Sequence, residues 1–202
     1  MKIGIMGGTF DPIHNGHLML GKTAYDQFKL DEIWFMPNGN PPHKKQESIE
    51  SDAEHRLKMT ALAIEDIRNF KLQDYEVKRV NVSCSWETMK HFKEQYPDDE
   101  FYFIIGADSL FSIETWVHPD RLFPNCVILA AYRDDIDTAE EMNTQIAYIG
   151  KKYNADIRLL RSPLMQVSSS ELRQMIEEGK NITGLVPPKV ESYIIKEGLY
   201  GI

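Results

Sequence analysis

The chain predicts an α/β fold of Rossmann type: a doubly wound parallel sheet with helices on both faces. Three observations carry that expectation. Short β-branched or aromatic runs alternate with longer segments of helical period, the pattern of strands joined by crossover helices. The strongest run, Phe101 to Ile105, is apolar at every position, as a strand covered on both sides requires. The first apolar run opens directly into a glycine-rich stretch at the start of a helical pattern.

Taken in order, Ile3 to Met6 reads as the first strand. Asn15 to Phe28 reads as a helix burying Leu18, Ala24, Tyr25 and Phe28. Glu32 to Met36 is a second strand, and Pro37-Asn38-Gly39-Asn40-Pro41-Pro42 leaves it as a loop, because proline lacks the donor that a central strand needs. Ser51 or Asp52 caps a helix running to about Arg68, with Leu57, Ala61 and Ile64 inward. Lys71 to Val82 is a weaker strand region, and Trp86 to Gln95 a helix stopped by Tyr96-Pro97. Phe101 to Ile105, Val127 to Tyr132 and Ile157 to Leu160 complete the strands. Ala139 to Lys152, Ser169 to Glu178 and Lys189 to Lys196 complete the helices. No linker is long enough to divide the 202 residues, so one domain is expected, with a small helical portion at about 167–202.

Composition excludes several classes of function. A formal charge of -8 argues against general affinity for nucleic acid or anionic membrane, so any phosphate must be held locally. No apolar run approaches the roughly 20 residues of a membrane span. Cys84 and Cys126 are too few for a disulfide framework, and a reducing cytoplasm is the expected location.

Residues 7–17 read GGTFDPIHNGH. Gly7 and Gly8 let the backbone turn tightly and let a ligand approach, while the free N–H groups of the following helix attract anions. There is no P-loop lysine and no G-x-G-x-x-G spacing, so His14 and His17 are the candidate cations. At i and i+3 they share one helix face, which Gly16 keeps open. Two other readings stand beside this one: a zinc pair, for which no third ligand accompanies the two, and a helix start capped by Asn15 with two ordinary packed histidines.

The stretch from Gly7 to His17 resembles the H-x-G-H signature of the nucleotidyltransferase superfamily, in which an α-phosphate is attacked and pyrophosphate leaves. Val167-Ser168-Ser169-Ser170-Glu171-Leu172-Arg173 resembles its I-S-S-T-x-x-R motif. Trp34-Phe35-Met36-Pro37 with Pro41-Pro42-His43-Lys44, Phe103-Ile104-Ile105-Gly106-Ala107-Asp108, and Trp116 resemble the bacterial nicotinate mononucleotide adenylyltransferase family. The resemblance runs essentially end to end, through Leu185-Val186-Pro187 and Glu197-Gly198-Leu199-Tyr200.

That resemblance implies catalytic roles for His14, His17 and Arg173. It implies ATP contacts at Gly7, Gly8, Thr9, Phe10, Gly16, Gly106, Asp108, Arg133, Ser168, Ser169 and Ser170, and mononucleotide contacts at Lys44, Ser85, Ser112 and Trp116. Mg²⁺ would accompany ATP, with no protein ligand assigned; the partners are ATP and nicotinate mononucleotide, and a homo-oligomer stays open. The family's S-Y-T-x-x-T stretch here reads Ser83-Cys84-Ser85-Trp86-Glu87-Thr88, which alters the shape of the pyridine pocket. Cys84 reads as a packing residue, since no histidine adjoins it. The enzyme alternative is phosphopantetheine adenylyltransferase, and the alternative of another class is a nucleotide sensor without turnover.

Overall fold

The structure, a computed structural model, describes residues 1–39, 51–133, 138–163 and 167–201. Six strands, β1 (Lys2–Gly8), β2 (Glu32–Pro37), β3 (Phe70–Leu72), β4 (Glu100–Ile105), β5 (Val127–Tyr132) and β6 (Ile157–Arg161), form one parallel sheet in the order β3-β2-β1-β4-β5-β6. β1 is central, with Ile5 opposite Trp34 on one side and Phe103 on the other. Chain order runs outward from β1 in both directions, so the switch point lies between β1 and β4, where a parallel sheet opens a crevice beyond its carboxyl ends.

Alternate residues of each strand feed two cores. On one face Ile33, Phe35, Tyr102, Ile104 and Leu129 meet α1 (Asn15–Phe28), α2 (Ala53–Ile64), α8 (Ser169–Glu177) and α9 (Pro188–Glu197). On the other, Ile3, Ile5, Phe101, Phe103 and Ile128 meet α4 (Ser85–Gln95), α5 (Ala107–Ser112), α6 (Pro119–Leu122) and α7 (Ala139–Tyr153). Helices on both faces explain why the strands read as continuous apolar runs. Gly21 lets α1 approach the sheet, because a Cβ there would sit 2.8 Å from the Phe35 ring.

Among the described residues, three sequence expectations need correction. Lys71 to Val82 is mostly not a strand: β3 covers three residues, and Tyr75–Lys78 winds as the short helix α3 behind Asp74. α2 stops at Ile64 rather than near Arg68, and its inward side carries Arg56, Met59, Thr60, Ala63 and Ile64. Leu57 and Ala61 are only half-buried and border a groove against α9. Ala107–Ser112 is a further helix, a segment too short for periodicity to announce. Pro37 does end β2: the next residue, Asn38, donates its N–H to the Gly8 carbonyl at 2.8 Å.

Candidate active site

The crevice at the switch point is built around the start of α1. Its N-cap is His14, not Asn15: His14 is extended (φ -139°), so it stands just outside the helix rather than on its first turn. Its Nδ1 accepts the Gly16 N–H at 3.0 Å, and the His17 Nδ1 accepts the His14 N–H at 3.1 Å. This reciprocal box normally employs Ser or Thr with Glu, and here two imidazoles replace them. An N–H aimed at Nδ1 places the proton of the neutral His14 ring on Nε2, the ring nitrogen turned away from the helix start. The rings stack at 3.7 Å between centroids, and Phe10 braces His17 edge-on at 5.0 Å.

The two rings stand together, as the i and i+3 spacing predicts, but the charge of His14 differs from the expectation. His14 is 7% exposed, and burial lowers its pKa to about 4 against a smaller opposing effect from Glu171. At neutral pH His14 is a preorganised neutral donor and not a cation.

Two cavities of about 370 Å³ each meet at His17. The first brings together His14, Gly16, His17, Gly106, Asp108 and Arg133. Gly106 is the N-cap of α5, with open space where a Cβ would project, and Asp108 lies exposed in that helix's first turn. The second cavity is lined by Gly7, Asn38, Cys84, Ser85, Phe103 and Trp116, among others. Trp116 stands edge-on to Phe103 at 6.3 Å. His17, Leu20, Gly106 and Ser109 border both spaces, so the His17 imidazole is one of four residues that the two volumes share. Burial raises the Cys84 thiol pKa, the direction opposite to that of a nucleophile.

The remaining expected residues lie as follows. A Cβ at Gly8 would sit 2.8 Å from the Phe10 ring, Thr9 and Phe10 are buried, and none of the three lines either cavity. Ser168 is the N-cap of α8, its Oγ accepting the Glu171 N–H at 3.1 Å; Ser169 Oγ donates to the Pro12 carbonyl at 2.8 Å, and Ser170 is exposed. Arg173 is not among the residues lining either cavity; its Nη1 donates to the Asp11 carbonyl at 2.9 Å. Ser112 Oγ faces the Ser109 carbonyl at 3.4 Å and lines neither space. Lys44 lies outside the described residues.

The supports of this loop have no counterpart in the sequence reading. Asp11 is buried and accepts from Tyr200 Oη at 2.6 Å and from Ser51 Oγ. Asn15 donates its N–H to the Leu185 carbonyl at 3.0 Å and its side-chain Nδ2 to the Gly184 carbonyl at 2.9 Å, so the C-terminal segment grips the start of α1. Glu76 is buried under the second cavity, where Thr88 Oγ1 donates to it at 2.8 Å and burial raises its pKa. A visible signal did exist for α2: Arg56, Met59, Thr60 and Ala63 fall at helical spacing, and only Arg56 interrupts an otherwise compatible inner face.

Comparison with known proteins gives a consistent result. Residues 5–175 match the model of the family described as cytidylyltransferase-like. A protein of Lachnoclostridium phytofermentans named "Probable nicotinate-nucleotide adenylyltransferase" is 44% identical over 98% of both chains. Proteins of the same name from Clostridium tetani and Clostridium novyi are 41% and 39% identical, also over 98% of both chains. Among solved structures, the Plasmodium falciparum nicotinic acid mononucleotide adenylyltransferase complexed with NaAD superposes with a TM-score of 0.80 at 24% identity, covering 98% of this chain and 97% of that one. At that identity the likeness establishes the six-stranded fold.

Proposed function

This chain belongs to the cytidylyltransferase-like family, among its nicotinate-nucleotide adenylyltransferases, and on that premise we propose that it transfers the adenylyl group of ATP to nicotinate mononucleotide. The products are nicotinate adenine dinucleotide and pyrophosphate. The observation that carries the reading is the wall shared by the two cavities: His17 borders both, so a donor and an acceptor phosphate can meet against one imidazole.

ATP occupies the cavity of His14, Gly106, Asp108 and Arg133, with the Asp108 carboxylate accepting from ribose hydroxyls. The mononucleotide occupies the cavity of Ser85 and Trp116, its pyridine ring against the indole. Its 5′-phosphate is already an anion at neutral pH, so no base is needed to create the nucleophile. An oxygen of that phosphate forms the new bond to the α-phosphorus as the bond to the β-phosphate oxygen breaks, and pyrophosphate carries off the electron pair. The Nε2–H groups of His14 and His17 and the amides at the start of α1 face the charge that grows on the α-phosphate oxygens. The substrate would enter as MgATP, the metal neutralising charge on the phosphates, with no ligand assigned to it on this chain.

In this reading Ser169 and Arg173 act through the loop, while Ser168 caps the helix that carries them. Ser169 holds the carbonyl of Pro12 and Arg173 that of Asp11, both within the short stretch that leads into His14, which fixes the imidazole relative to the cleft. The pyrophosphate-release assay with ATP and, in parallel, nicotinate mononucleotide, nicotinamide mononucleotide and phosphopantetheine tests the proposal. Turnover with nicotinate mononucleotide is expected. Turnover with phosphopantetheine alone, or ATP binding with no turnover, would overturn it.

A further inference from the structure

We propose that Arg56 is a positioning residue for both substrate loops, a guanidinium that ties the segment after β1, which leads to His14, to the segment after β2, which lines the cavity of Trp116. The inference rests on the reaction proposed above. Arg56 is 2% exposed, on the inward side of α2, far from the surface where an arginine ordinarily sits. One nitrogen, Nη1, donates both to the Thr9 carbonyl at 2.9 Å and to the Asn38 carbonyl at 2.7 Å. Thr9 belongs to the loop that leads from β1 to His14, and Asn38 follows β2 and lines the cavity of Trp116. The backbone already joins these segments through the Asn38 N–H on the Gly8 carbonyl at 2.8 Å, and the guanidinium adds a side-chain tie one residue further along the β1 loop.

The charge arrangement fits a fixed tie. Asp11 and Asp52 are the carboxylates whose charge acts on Arg56, and Asp11 is itself held by Ser51 and Tyr200. Burying a charge is an inefficient way to stabilise a fold, since an apolar side chain of similar volume avoids the desolvation cost. Simultaneous donation from a rigid, planar group to two fixed carbonyls is something an apolar side chain cannot do. The Thr9 carbonyl lies in the same loop as His14, and a displacement of about 1 Å at a reacting centre costs about 100-fold in rate.

The test uses Arg56→Lys, which keeps a cation facing Asp11 but has a shorter, flexible reach, with Ile64→Val as the control. Ile64 is buried in the same helix and touches neither loop carbonyl, so its truncation lowers stability without breaking the tie. Two readouts are taken at a temperature where all three proteins are folded. One is kcat/KM for each substrate; the other is backbone amide exchange in peptides covering residues 7–14 and 36–39. For Arg56→Lys we expect kcat/KM to fall about 100-fold for both substrates together, with faster exchange in both peptides and not elsewhere. For Ile64→Val both readouts should match the wild type while the melting temperature drops. Unchanged kcat/KM in Arg56→Lys, an equal loss in Ile64→Val, or exchange accelerated uniformly along the chain would each overturn the inference. A wild type that forms no dinucleotide would sink the proposed reaction instead, and the exchange measurement would still judge the tie.

Discussion

Replacing His14 by asparagine separates two roles that one side chain combines. Asparagine is among the best N-cap residues, and its Oδ1 can take over acceptance of the Gly16 N–H. The backbone N–H at this position, which donates to His17, is unaffected. What disappears is the Nε2–H in the cleft and the stack on His17, the latter worth about 0.5–1.5 kcal/mol. Turnover should fall about 10²–10³-fold at pH 7, the cost of one preorganised donor, about 3–4 kcal/mol of barrier.

Stability should respond to pH in the opposite sense. His14 has a folded pKa of about 4 against an ordinary 6.5, so between those values the unfolded chain binds the extra proton. The wild type keeps its full stability above pH 6.5 and loses it progressively as pH falls toward 4, by about 2 kcal/mol at pH 5 from this group. The His14→Asn variant has no proton to bind at this position, so that increment is absent from its pH dependence. Urea unfolding at pH 7.5 and pH 5, with pyrophosphate release at pH 7, reads both effects. A variant whose loss of stability between the two pH values equals that of the wild type would refute the buried neutral imidazole. Turnover within tenfold of wild type would refute the donor role.

Four other outcomes follow from the same geometry. His17→Ala should lower kcat about 10²–10³-fold while costing about 1 kcal/mol of stability for its half of the cap, measured by pyrophosphate release and urea unfolding. Trp116→Ala should raise KM for the mononucleotide and leave KM for ATP unchanged, because Trp116 lines one cavity and not the other; equal shifts in both would contradict the assignment. Gly21→Ala should lower stability by about 1–3 kcal/mol with kcat intact, since the added methyl meets a core ring, and thermal melting checks it. Tyr200→Phe should cost about 1–3 kcal/mol by leaving the buried Asp11 carboxylate short of one donor, a cost that urea unfolding should show.

Much of the architecture is legible because the relevant signals are local. The strand Val127–Tyr132 and the helix Asn15–Phe28 have the bounds their patterns predict, each being long or uniformly apolar. The three-residue β3 is shorter than its pattern suggests, since a single edge pairing suffices to hold Phe70–Leu72 and the following residues turn into a helix that no run of apolar residues marks. The inward side of α2 departs from its pattern for a different reason. Pattern reading places Leu57 and Ala61 inside and treats arginine as surface, whereas the fold gives Arg56 two carbonyl partners and turns the helix accordingly. The histidine pair is visible in the sequence, but a spacing reports that two rings share a face and cannot report their desolvation.

By itself the sequence determined the parallel α/β architecture and the family, since periodicity is written residue by residue and the motifs at 7–17 and 167–173 are contiguous. Only the tertiary structure decided that His14 is a neutral cap, that two cavities share His17, and that Arg56, Asp11 and Tyr200 hold the loop between them. Those properties depend on burial and on contacts between residues as much as 189 positions apart, and neither quantity has a local signature in the chain.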